Sequence, residues 1–388
     1  MRTLPPAYSP LGAADLIGTV VDALSGDTAP RLRDELTARY AADTTVLTSS
    51  GTHALQLSFE LLAAKLGRSP RIGLPGYSCY DIITAAVAAG AKVRLYDIDP
   101  VSLGPVWESL ADVMPEVDAV LAGNLFAFPL DWQRLDAMAA EHGVVMIEDA
   151  AQGIGAEGPA GPSGRHGAAS ILSFGRGKGW TGGGGGALLV RGALSELAVD
   201  LPLEAGGHGT GVWIKATLAW LLGRPTLFRI PILIPGLGVG ETNYKEPSTS
   251  RALTRVSAHM VRRTDGASHQ VVARRRIVAA RWRDALHGLA ARSALSWCRP
   301  ASPAHTSGFL RLPIRTGGVS AEDVVRRGRP WGLARAYPKP LHHLEQASSV
   351  LDHPTPLPGA EELAATLVTL PTHHWVRERD MKSVAALF

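Results

Sequence analysis

Lys178 stands between Gly177 and Gly179 in the stretch SFGRGKGWTGGGGGALLV, Ser173 to Val190, and glycine fills the five positions from Gly182 to Gly186. Glycine loses more backbone freedom on folding than any other residue, so a run of it marks sharp bends or a close approach to a ligand. A lysine amine that sheds its proton near neutral pH is what Schiff-base chemistry needs. Asp149 closes the apolar run VVMIEDA, which puts a carboxylate at the tip of a predicted buried strand. Glu148, its neighbour, points to the opposite face of that strand. Gln152 follows closely and reaches the Asp149 side if the chain turns there. Ser50-Gly51-Thr52 follows TTVLT and opens a helical stretch. Free N–H groups and the helix dipole at such a start favour a phosphate, and Thr52 adds a hydroxyl.

Each feature alone has an ordinary explanation: a helix cap, a hydrogen-bonding aspartate, a surface loop with an exposed lysine. Together they match the needs of pyridoxal phosphate (PLP). The phosphate takes the helix start, the ring nitrogen takes an acidic partner that keeps it protonated, and the aldehyde takes a lysine.

Those residues need a frame that gathers strand ends. From about residue 44, short apolar runs (TTVLT, RIGLPG, KVRLYDID, VDAVLAG, VVMIEDA, ASILSF, GALLV) alternate with helical stretches. THALQLSFELLAAKLG has helical apolar spacing and stops on Gly67. This alternation predicts an α/β fold with a largely parallel sheet between helices, and ligands gather at the carboxyl ends of its strands. After Glu241 a long helical stretch leads to strand candidates such as GFLRLPIR and to a final helix in ERDMKSVAALF. The reading is a large domain over residues 1–250, with an N-terminal arm and helix in 1–40, and a smaller α+β domain over 251–388. The boundary between them is soft, between about 241 and 256.

The chain has 388 residues, of which 46% are hydrophobic and 19% charged, enough for a sizeable core. Lys and Arg number 39 against 35 Asp and Glu, a net charge of +4. The main basic cluster, VVARRRIVAARWRDAL, has helical spacing and reads as a solvated helix face, with no nucleic-acid motif beside it. Cys79 and Cys298 give neither a disulfide framework nor a zinc spacing, and no metal site is expected. The start MRTLPPAYSP lacks the pattern of a signal peptide, so the expected location is the cytoplasm. Val212 to Gly240 is strongly apolar but broken by Lys215, Arg224, Arg229 and three prolines. It reads as core or subunit interface, with contact to a membrane surface or a lipid-linked substrate as the sharper alternative.

From about 47 to 190 the sequence resembles the DegT/StrS-type nucleotide-sugar aminotransferases, within the aspartate-aminotransferase fold. The matching pieces are SSGTHAL, LPGYSCYD, VRLYDIDP, MIEDAAQGIGA and SFGRGKG followed by GGGGGALLV, with AYPKPLHHL and LPTHHWVRERDMKSV as softer ones near the C-terminus. The resemblance implies a large domain built on a mostly parallel seven-stranded sheet, plus a smaller C-terminal α+β domain. It implies that Lys178 bonds the cofactor aldehyde and later moves the substrate proton, that Asp149 pairs with the ring nitrogen, and that Gln152 lies beside the ring. Gly51, Thr52 and Ser173 would hold the phosphate, and a homodimer with shared sites would let the neighbouring chain's Asn243 complete it. The family's stacking aromatic is replaced by Cys79, with Tyr77 and Tyr80 as possible substitutes, and its usual histidine by Asn124. Relatives with histidine at the lysine position dehydrate sugars; Lys178 favours transamination, from glutamate to a keto sugar, in polysaccharide or secondary-metabolite synthesis. The alternatives are another PLP enzyme, such as a lyase or non-sugar transaminase, and an inactive binding or regulatory relative.

Overall fold

The computed structural model describes residues 2–199, 201, 203–234, 242–352 and 355–388. Helices α1 (Ala13–Ser25) and α2 (Ala29–Tyr40) precede β1 (Thr44–Thr48), α3 (Gly51–Leu66), β2 (Arg71–Pro75), α4 (Asp81–Ala88) and β3 (Lys92–Tyr96). Then come α5 (Trp107–Val113), β4 (Ala119–Gly123), α6 (Trp132–His142) and β5 (Val145–Asp149). A small hairpin, β6 (Glu157–Gly158) with β7 (Gly161–Pro162), leads to β8 (Ala169–Ser173) and β9 (Gly186–Val190). Helices α7 (Ser195–Ala198), α8 (Thr210–Leu222) and α9 (Arg229–Leu233) lead to the long α10 (Arg255–Ala291). The remainder holds β10 (Leu295–Trp297), β11 (Leu312–Thr316), α11 (Ala321–Gly328), α12 (Pro358–Thr366), β12 (Leu367–Leu370) and α13 (Glu378–Ala385).

The large sheet has seven strands in the order β1-β9-β8-β5-β4-β2-β3. Pairings from β8 through β5, β4 and β2 to β3 are parallel, and β9 is antiparallel to both β1 and β8. The expected mostly parallel sheet is present. The strands read as near-continuous apolar runs because helices bury both faces. Val120, Leu121, Ile147 and Leu188 are at most 1% exposed.

Helix starts and stops follow local chemistry. Ser50 caps α3 by accepting from the His53 N–H at 3.1 Å, and Gly67 ends the helix at φ +66. The smaller sheet, β10-β11-β12, is antiparallel and shares a core with the C-terminal half of α10 through Trp282 and Leu286. The N-terminal half of α10 packs under the large sheet through Ala258 and Val261. One helix therefore serves both cores. The segment from Tyr337 to Leu363 also returns to the large core, and Leu4 of the N-terminal arm packs in the small one.

Candidate active site

The carboxyl ends of β1, β5 and β8 place Ser50, Asp149 and Ser173 along one edge of the sheet. Strand alternation sends Glu148 and Asp149 to opposite sides, as expected. Glu148 is fully buried, where it accepts hydrogen bonds from Asn124 Nδ2 (2.9 Å), Ser163 Oγ (2.8 Å), Ser170 Oγ (3.1 Å) and the N–H groups of Gly164 and His166 (2.9 and 3.0 Å). This mesh fixes the end of β5. It also holds the Asn124 side chain on the Glu148 side of β5.

Asp149 accepts from the Ala151 N–H at 3.0 Å. Crowding by protein raises its pKa first; the Ala151 N–H and the Lys178 ammonium oppose that rise. A carboxylate in this position is stabilised by a cation placed against it, as a protonated ring nitrogen would be. Lys178 is half-buried, in a turn where its N–H donates to the Gly175 carbonyl at 3.3 Å. Gly177 and Gly179 have φ of +79 and +94, the left-handed region that disfavours side chains. The glycine run is a packing device as well. A Cβ on Gly186 would lie 2.6 Å from the Ser50 carbonyl and from the Gly51 nitrogen, and one on Gly183 would lie 3.0 Å from Ala216 Cβ.

At the start of α3, Ser50 Oγ serves the His53 N–H and the Ser50 carbonyl serves Ala54. Gly51 and Thr52 keep N–H groups without an intrahelical partner. Ser173 sits directly beside them, since a Cβ on Gly51 would lie 2.9 Å from Ser173 Cβ and 3.1 Å from its Oγ. The Thr52 hydroxyl, expected to face a phosphate, instead donates to Asp81 Oδ2 at 3.0 Å. We expect Gly51→Ala to overpack this corner, at about 1–3 kcal/mol, and to weaken cofactor binding by about tenfold or more in an absorbance titration.

Cys79 lies within the fields of Lys178, Asp149 and Asp81. Burial above all pushes its thiol up to about 12, so it is a neutral packing group and not a nucleophile. Tyr77 and Tyr80 do not take its place as free ring faces. Both are buried and meet Tyr337, with ring centroids 5.4 and 6.0 Å away. Tyr80 is further fixed by the Lys339 N–H, which donates to its hydroxyl at 2.9 Å.

The Gln152 side chain is held at both ends. Its Oε1 accepts from the Phe126 N–H at 3.2 Å, and its Nε2 donates to the Tyr337 hydroxyl at 2.7 Å. Phe126 and Ala127 hold φ of +54 and +61, strain of about 1–2 kcal/mol each for a side-chain residue. The small-domain residues Gly308 and Leu310 hold that turn by donating to the Ala127 and Phe126 carbonyls. Such strain is retained where a loop must be held in place.

Asn243 is exposed. Its neighbours fasten to the same chain: the Thr242 hydroxyl donates to the Ala336 carbonyl at 2.8 Å, and Lys245 Nζ lies 3.9 Å from Asp81.

Two residues near the site were not singled out from sequence. Tyr337 belongs to the AYPKPLHHL piece, but nothing local marks it as the partner of Gln152. Arg275 belongs to the cluster read as a solvated face, yet it is 2% exposed. A Cβ on Gly179 would lie 2.5 Å from its Nη1, which has no hydrogen-bond partner among the described residues. Burial depresses its pKa to about 10. Its only signal in sequence is a third arginine beside Arg274 and Arg276, where a single solvated stripe needs fewer.

The residues present fit PLP: a lysine on a glycine turn, a carboxylate short of a cation, and a helix start packed on Ser173. The sheet, the smaller domain and this constellation define the fold of PLP-dependent aminotransferases. A Streptococcus pneumoniae protein, Spr1654, solved in its PLP form, superposes with a TM-score of 0.74 at 17% identity, covering 100% of both chains. The model of the DegT/DnrJ/EryC1/StrS aminotransferase family matches residues 20–211, just under half of the chain. It is 34% identical over 143 residues to the L-glutamine:2-deoxy-scyllo-inosose aminotransferase of Streptomyces kanamyceticus, covering 37% of this chain and 33% of that one. It is 30% identical over 128 residues to the UDP-2-acetamido-2-deoxy-3-oxo-D-glucuronate aminotransferase of Pseudomonas aeruginosa, covering 32% and 34%. The matched stretches thus span about a third of the length of these relatives.

Proposed function

We propose that this chain is a PLP-dependent aminotransferase that moves an amino group from glutamate or glutamine to a keto group on a sugar or cyclitol, nucleotide-linked sugars being the favoured class. The observation that carries this reading is Lys178 on its glycine turn just past β8, the strand beside β5, which ends on Asp149. The names of the two relatives, a cyclitol and a UDP-sugar aminotransferase, support the acceptor class.

Bound here, PLP supplies an electrophilic aldehyde and a ring that delocalises the electrons left when an α-proton departs. The protein's part is positional and acid–base. The Gly51 and Thr52 N–H groups and Ser173 Oγ bind the phosphate, at the positive end of the α3 dipole. The Asp149 carboxylate accepts from the ring N–H and holds its positive charge. Gln152, fixed by Phe126 and Tyr337, limits where the ring edge can lie. Cys79 contributes a small neutral surface in place of an aromatic ring. Lys178 Nζ takes the proton from the donor's α-carbon and returns one to the acceptor carbon. Arg275, buried without a carboxylate partner among the described residues, suits a substrate that brings negative charge, whether a donor carboxylate or a nucleotide diphosphate. We also assign to a homodimer the completion of the phosphate site by Asn243 of a second copy.

The test is a half-reaction. Holoprotein mixed with glutamate or glutamine should yield the matching keto acid and pyridoxamine phosphate in equal amounts, without an acceptor. Stably bound cofactor that no amino donor converts would overturn the reading.

A further inference from the structure

The apolar stretch that begins at Val212 is unused by the chemistry above. Among the described residues, exposed large apolar side chains gather on α1, α8 and α9. Ile17, Val21 and Leu24 stand out on α1, Ile214 and Leu218 on α8, and Leu233 on α9, with Leu24 77% and Leu233 67% exposed. The first two helices lie side by side. Trp213 Nε1 on α8 donates to the Leu16 carbonyl on α1 at 3.0 Å, and Leu16, Ala23, Ala216 and Met260 form a shared core beneath them. Their outer faces therefore form one surface. Apolar patches of this kind on a protein surface mark contact sites.

Charge decides what covers it. From Ala205 to Gly240 the sequence has no acidic residue, while Lys215, Arg224 and Arg229 fall among the apolar positions. Arg224 lies over the Trp220 ring, 4.3 Å from its centre. The two acids of α1 are already engaged: Asp15 accepts from the Gly12 N–H, and Asp22 pairs with Arg263 at 2.7 Å. A two-fold contact of this face on itself would offer these cations no free carboxylate, since the face supplies none on either copy. A surface of anionic headgroups neutralises them, and tryptophan with arginine suits the headgroup level. No helix among the described residues is long and apolar enough to cross a membrane, so the face would lie on a bilayer and not span it. Helices α8 and α9 also lie almost wholly beyond the stretch matched by the family model, which ends at residue 211.

We propose that α1, α8 and α9 form a docking face for an anionic lipid bilayer, with the apolar side chains entering the headgroup boundary and Lys215, Arg224 and Arg229 meeting lipid phosphates. The face lies close to the reactive loop. The inner side of α8, through Val212 and Ala216, packs on Gly183 within the run that follows Lys178. Docking would hold the site beside the membrane, which suits a keto-sugar substrate made or carried there.

The test is flotation of the holoprotein with vesicles of phosphatidylcholine alone and of phosphatidylcholine mixed with phosphatidylglycerol. Wild type should favour the anionic vesicles by at least about tenfold, because three cations meet the lipid phosphates. The variant Leu218→Glu/Leu233→Glu should lose at least about tenfold in binding, and Arg224→Gln/Arg229→Gln should lose most of the anionic preference. Both should keep the half-reaction with a soluble amino donor. Equal flotation of wild type and the Glu variant, or no binding to anionic vesicles, would overturn the proposal. So would a wild-type oligomer in sedimentation that the Glu variant splits, since a second copy would then cover the face. If the Glu variant misfolds, Leu218→Ser/Leu233→Ser replaces it, with the same reading of each result.

Discussion

Lys178→Ala is expected to slow turnover by about 10^4-fold or more while leaving the fold intact. The size follows from two losses at once: the amine that bonds the cofactor, and the base that moves the α-proton, itself worth about 10^2–10^4-fold. The fold should survive because Lys178 is only half-buried, on a turn shaped by Gly177 and Gly179. Core contacts there belong to Phe174 and Trp180, which meet edge-on with centroids 5.1 Å apart. The variant should still bind PLP, reversibly, through the α3 start and Asp149. Borohydride reduction followed by peptide mapping checks this without reference to rate: wild type should retain the cofactor on the peptide containing Lys178, and the variant on none. Lys178→Arg should behave as the alanine variant does, because a guanidinium keeps its proton. Turnover in either variant within tenfold of wild type would remove Lys178 from the mechanism.

What the sequence made legible depended on how local the signal was. Strands buried on both faces announce themselves as unbroken apolar runs, so the seven-stranded sheet could be read before its order was known. Strand direction could not: GALLV looks like its neighbours, yet β9 runs antiparallel between β1 and β8. Lys178, Asp149 and the start of α3 stood out only in combination, because each short stretch alone has an ordinary structural use. The opposed faces of Glu148 and Asp149 followed from strand alternation alone. Tyr337 and Arg275 were not legible because their meaning comes from contacts across the chain, with Gln152 and with Gly179. Arg275 was misread for a physical reason. Helical spacing shows which residues share a stripe, but α10 is covered by the large domain over part of its length and by the small one over the rest, so its basic side is not uniformly solvated. Thr52 was placed correctly at the helix start, and its hydroxyl was claimed by Asp81, a residue that only the packing of α3 against α4 brings near.

Asp149→Asn should separate stability from function in opposite directions. Asparagine keeps the shape and can still accept from the Ala151 N–H, but it carries no charge. In the protein without cofactor, burial raises the Asp149 pKa above its unfolded value, with Ala151 and Lys178 only partly offsetting the rise. A carboxyl whose pKa is higher folded than unfolded favours the native state fully below its unfolded pKa, and that contribution is lost as pH rises through the folded pKa. Neutral pH lies above the unfolded carboxyl range, where a raised folded pKa costs the cofactor-free wild type stability, and Asp149→Asn should melt higher than wild type there. The difference should vanish in acid, below the unfolded carboxyl range. With PLP the order reverses. The ring nitrogen supplies the cation that Asp149 lacks, so wild type should gain more thermal stability from PLP than the variant does. Turnover should fall by about 10^2–10^4-fold, the range of a lost proton-holding group, because an amide does not keep the ring nitrogen protonated. Melting curves across pH, with and without PLP, check the crossing. A variant that gains as much from the cofactor as wild type, at every pH, would show that Asp149 does not face the ring nitrogen.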